Sequence, residues 1–146
     1  MDTADHAVAN IVDAVNQVAD SGVCKFFIVN SIDLSKLPTV IKAGFVDDAK
    51  AFQSRIISSI PGEMEKLSKD RNLKITIFDY MAASDRILNN PGSYGLTNLT
   101  DYCLVWTGTD FEICKSPDEY YFWDDTHPSR RVHQLIGKAM AEQLSK

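Results

Sequence analysis

Apolar residues recur along the first segment with the spacing of one helical face: Val8, Ile11, Val12, Val15, Val18 and Ala19 follow an i, i+3, i+4, i+7 rhythm. Thr3 or Asp5 suits the start of this helix and Gly22 its end. Phe26-Phe27-Ile28-Val29 is a continuous apolar run, which predicts a strand buried on both faces and therefore parallel to its neighbours. The segment 30–36 is polar. From Phe45 a second helical pattern runs through Ala49, Phe52, Ile56 and Ile60 towards Met64 and Leu67, with Asp47 and Asp48 placed to favour its first turn. Pro61 interrupts it. Proline lacks an amide donor and its ring meets the carbonyl four residues earlier, so a kink is expected, or a break that makes 62–69 a separate helix.

Leu73, Ile75 and Ile77 alternate with Lys74 and Thr76 as a second strand, and Met81 to Asn89 forms a short helix that Asn90-Pro91-Gly92 stops. Ser93 to Glu119 has turn residues and no sustained period, so it is expected to be a long loop, of the kind that is functional or tied down. Tyr120 to Trp123 supplies a third strand. Val132, Leu135, Ile136, Ala139, Met140 and Leu144 mark a final amphipathic helix. Strands separated by helices favour an α/β layered fold around a parallel sheet, with 1–146 as one domain. Three strands are few for such a sheet, and the expectation is that N-terminal strands are missing.

Composition narrows the partners. The chain has 146 residues, of which 15 are Lys or Arg and 20 Asp or Glu, for a net charge of -5. That balance argues against nucleic acid and against an anionic membrane surface as partners. No window approaches the roughly 18 apolar residues of a membrane-spanning helix. The acidic start, Met1 to Asp5, is unlike a secretory signal peptide. Cys24, Cys103 and Cys114 stand far apart. Cys103 and Cys114 enclose a Thr107-Gly108-Thr109 turn that a disulfide could close, or they are two reduced residues in a reducing compartment.

The sharpest local feature is Trp123-Asp124-Asp125-Thr126-His127-Pro128, where the last strand gives way to the last helix. Sites gather at such carboxyl ends in open α/β sheets. An aspartate three residues before a histidine can accept a hydrogen bond from one ring nitrogen and leave the other as a general base. Pro128 disfavours helical geometry at His127 and keeps the ring in the turn. The plainer alternative is a helix-start turn in which Asp or Thr caps the helix and His127 is merely exposed. Zinc held by Cys103, Cys114, His127 and His133 is disfavoured, since finger cysteines stand about two to four residues apart. A metal site built from Asp124, Asp125 and His127 is a weaker idea, and His133 is expected to pack beside the apolar face of the last helix. No serine lies in a G-x-S-x-G elbow, and no glycine-rich phosphate loop is present.

The segment Phe122 to Pro128, FWDDTHP, followed by Ser129 and His133, resembles the closing block of GDSL-type (SGNH) esterases, in particular the bacterial phospholipase, lecithinase and haemolysin branch. Phe27-Ile28-Val29-Asn30 through Pro38, the stretch Asn90 to Asn98, and Cys103 with Cys114 agree in order with the same family. The resemblance implies part of a three-layer SGNH-hydrolase-like fold and a carboxylic ester hydrolase using Ser-His-Asp acyl transfer, with Asp124 as acid and His127 as base. It implies an ester or lipid substrate, no cofactor, and no metal. The family's Gly-Asp-Ser block and the glycine and asparagine of its oxyanion hole find no match here, so the chain resembles a C-terminal half. The isolated chain is then expected to be inactive, with the N-terminal half of the same enzyme as a partner. A full-length enzyme of this kind would be secreted or periplasmic, and Cys103 and Cys114 would form a disulfide. The competing reading is a non-catalytic interaction module derived from such an enzyme.

Overall fold

The computed structural model describes residues 3–145. Met1 and Asp2, from the acidic start read above, and Lys146 lie outside the described residues. The elements run α1 (Thr3–Asp20), β1 (Lys25–Val29), α2 (Pro38–Ala43), α3 (Val46–Arg71), β2 (Lys74–Phe78), α4 (Tyr80–Asn89), β3 (Asn98–Tyr102), β4 (Leu104–Trp106), β5 (Phe111–Ile113), β6 (Tyr120–Phe122) and α5 (Arg130–Leu144). Strands β1 and β2 pair in parallel, in register from Lys25 with Lys74 to Val29 with Phe78. Strands β3 and β6 are also parallel, and β4 and β5 form an antiparallel hairpin.

The β1–β2 pair has helices on both sides because its side chains alternate between two apolar clusters. Phe26, Ile28, Ile75 and Ile77 face α1 and α3, packing on Val8, Val15, Ile56, Ile60 and Met64. Phe27 and Phe78 point the other way, towards Ala83 and Ile87 of α4 and Val132 and Ile136 of α5. The three-layer α/β arrangement expected from the sequence is present. Arg71 ties the ends of the first helical layer together, donating to the Asn16 carbonyl at 3.0 Å and to its Oδ1 at 2.8 Å.

The sequence misplaces several elements. Pro61 does not split α3, which is one helix through Arg71. Gln53, Ile56, Ile60, Met64 and Leu67 form one unbroken buried stripe, with Pro61 on the exposed side. Burying a side chain such as Ile60 or Met64 contributes about 1.5–3 kcal/mol, so the two flanking contacts together are enough to offset the roughly 3 kcal/mol that an interior proline costs. The expected long loop 93–119 instead holds β3, β4 and β5. The polar region after β1 contains a 3-10 turn over Leu34–Lys36, capped by Asp33, and then α2. Pro38 opens α2, where its missing donor costs nothing, and Gly44 closes it at φ 78°. The third predicted strand ends at Phe122 rather than Trp123.

Candidate active site

Strand β6 delivers the chain into the bend 123–128, which closes on itself. The Trp123 amide donates to the His127 carbonyl at 2.8 Å, and Phe122 bridges Pro128 across the base. His127 stays outside the helix, since α5 begins only at Arg130. The cap of α5 is Ser129, whose buried hydroxyl accepts from the Val132 amide at 3.3 Å. Capping by Asp124 or Thr126, the plain alternative, does not occur.

Asp124 is instead spent within the bend. Its Oδ1 accepts from the Thr126 amide at 2.9 Å and from the His127 amide at 2.6 Å. Nδ1 of His127 lies 2.9 Å from both carboxylate oxygens. Burial pushes the Asp124 carboxyl up, but the two amides and the imidazole outweigh it and hold the group below the usual carboxylate range. An ionised Asp124 favours the tautomer with its proton on Nδ1 and leaves Nε2 to exchange protons. The imidazole is 68% exposed, so an outside group can reach it.

Contacts distant in sequence hold this bend in place. The Thr39 amide of α2 donates to the Asp125 carbonyl at 2.9 Å. Leu104 and Cys103 donate to the Trp123 and Phe122 carbonyls at 2.7 and 3.2 Å, fixing the hairpin against the end of β6. Nothing in the sequence marks Thr39, because its backbone rather than its side chain makes the contact.

A hollow of about 820 Å³ opens beside His127, with Trp123, Pro117, Pro128, Arg130 and His133 in its wall. His133 is exposed there, on the outer side of the first turn of α5, and does not pack beside the apolar face. The second histidine of the closing block was the signal that could have placed it. Among the described residues, none in the wall of a separate hollow of about 520 Å³ between α4 and α5 is a histidine, serine or cysteine. Cys103 and Cys114 are joined in a disulfide, with Cα atoms 4.8 Å apart, which removes both thiols from any zinc site. Cys24 is free and exposed.

An α/β layered protein with an Asp–His pair in the turn after a strand of a parallel pair is the class that this fold and site define. The family model for GDSL-like lipases and acylhydrolases matches residues 1–140, and the chain belongs to that family. It is 25% identical over 139 residues to GDSL esterase/lipase EXL4 of Arabidopsis thaliana, covering 89% of this chain and 40% of that protein. It is 28% identical over 106 residues to GDSL esterase/lipase APG of the same plant, covering 66% of this chain and 29% of the relative. The thermolabile hemolysin of Vibrio parahaemolyticus is 23% identical over 150 residues, covering 92% of this chain and 35% of that protein. The chain therefore spans less than half the length of these curated relatives.

Proposed function

We propose that Asp124 and His127 are the acid and base of a carboxylic ester hydrolase working by serine acyl transfer. The observation that carries this reading is the two-oxygen approach of Asp124 to Nδ1 of His127. Nε2 accepts the proton of the serine hydroxyl as its oxygen attacks the ester carbonyl, and Asp124 stabilises the imidazolium that results. The same proton then passes to the departing alcohol. Water repeats the cycle on the acyl-serine and releases the carboxylic acid.

The serine and the oxyanion donors are assigned to the family's Gly-Asp-Ser, glycine and asparagine blocks, in a segment other than this chain. The likeness of Phe122 to Pro128 to the family's closing block supports reading the chain as the C-terminal half of an enzyme of the bacterial branch that acts on lipid esters of the phospholipid or lysophospholipid type. The disulfide supports an oxidising, periplasmic or extracellular compartment.

The test mixes this chain with a polypeptide carrying the Gly-Asp-Ser block and follows p-nitrophenyl butyrate hydrolysis. Activity is expected in the mixture alone, and His127→Ala is expected to lower it by about 10³-fold or more. A folded His127→Ala complex with undiminished turnover would refute the assignment.

A further inference from the structure

The hairpin between Cys103 and Cys114 presents its apolar side outwards. Leu104 faces Ile113 and Trp106 faces Phe111 in its register, so all four share one face, while Val105 and Glu112 share the other. Trp106, Phe111 and Ile113 are 56%, 59% and 59% exposed, and the Trp106 and Phe111 rings touch at 4.8 Å between centroids. A buried-type pattern has been placed at the surface.

We propose that this hairpin is a docking element for the interface of a zwitterionic lipid bilayer. Its tip suits entry into a medium poor in water, where unpaired backbone groups are costly. The Thr107 amide and hydroxyl both donate to the Asp110 carbonyl at 2.9 Å. The Asp110 amide donates to Thr107 Oγ1 at 3.2 Å, and the Phe111 amide to Asp110 Oδ1 at 2.8 Å. Gly108, at φ 96°, allows the turn that brings these groups together.

The charges select the kind of bilayer. Asp101, Asp110 and Glu112 stand on or beside the hairpin against Lys115, so an anionic surface is repelled and binding depends on apolar contact. Trp106 has the ring type that collects at membrane–water boundaries. The disulfide at the base preforms the hairpin, so docking orders little new chain. The hydrogen bond that the Leu104 amide donates to the Trp123 carbonyl places the docked element next to the bend that holds His127.

Sedimentation of the chain with phosphatidylcholine vesicles tests this without any catalysis, and so does not depend on the role assigned to Asp124 and His127. The chain is expected to bind, with less than about twofold change on adding high salt. Trp106→Ser with Phe111→Ser should weaken partition about 100-fold or more, and Phe45→Ser, equally exposed but in the junction of α2 and α3 rather than on the hairpin, should leave it unchanged. As a second measurement, brominated lipid should quench the fluorescence of the unaltered chain and quench Trp106→Phe far less. Absence of vesicle binding would overturn the proposal, as would wild-type binding by the folded double variant. So would a dimer that the double variant dissociates, which would assign the face to a second copy of the chain.

Discussion

The Tyr121 and Ser84 hydroxyls meet 2.7 Å apart in the interior, joining β6 to α4 beneath the bend that carries Asp124 and His127. Both residues are buried, at 4% and 3% exposure, so neither hydroxyl can turn to water if its partner is lost. Tyr121→Phe should therefore cost about 1–3 kcal/mol by leaving Ser84 unpaired. Adding Ser84→Ala to Tyr121→Phe should cost less than the two single changes summed, in a double-mutant cycle read by urea denaturation. Strict additivity would mean the two hydroxyls do not depend on one another.

The disulfide closes a loop of sequence separation 11. The chain-entropy estimate for such a loop is about 3 kcal/mol. Replacing both cysteines, Cys103→Ala with Cys114→Ala, should lower the free energy of unfolding by about that amount, and reductant should then have no further effect. Reduced and oxidised wild-type protein with equal midpoints would contradict this.

Asp124 gives an acid limb to stability. Its carboxyl is held below the ordinary value of 3.8, so ionised Asp124 favours the folded state. This contribution is complete above that value and is lost as pH falls from there through the folded-state pKa. In a series of urea midpoints, Asp124→Asn should flatten the decline below about pH 4. An unchanged slope would show that the bend holds without the charge.

Tyr80 provides the opposite limb. Burial is the main cause that raises its phenol to about 12 from an ordinary 10.0, with Tyr121 adding to it. The neutral phenol thus supports the folded state fully below pH 10 and progressively less towards 12. Burial raises the Tyr121 phenol as well, so ultraviolet titration should show late phenolate ionisation that Tyr80→Phe reduces by one group without abolishing it.

Pro61→Ala restores a helical donor to the exposed side of α3 and should stabilise the chain by about 1 kcal/mol or more, measured as a rise in the urea midpoint. A loss of stability would indicate that α3 relies on the geometry proline imposes.

Legibility in the sequence followed the link between polarity and burial. Val8, Val15, Ile60 and Ile136 are apolar where the chain is buried, and α1, α3 and α5 could be drawn from their spacing. The link fails in β3, whose Asn98 and Asp101 bond to each other at 2.9 Å, and in the hairpin, where Trp106 and Phe111 face outwards. Strands of three residues also carry too few positions for a period of two to register. The Asp124–His127 pair was readable because it spans one turn of chain. Its anchorage to Thr39 was not, since a backbone amide is common to every residue but proline.

The Thr39–Asp125 hydrogen bond also bears on the order of assembly. A peptide covering the bend contains both members of the Asp–His pair, and the disulfide is nearly as local. The position of that pair against the body of the protein waits for α2, which lies far earlier in the chain between β1 and α3, to close onto it. Contacts so remote in sequence close slowly because loop closure must precede them. The local Asp–His geometry can therefore exist early during folding, while its alignment with the rest of the molecule comes among the last events.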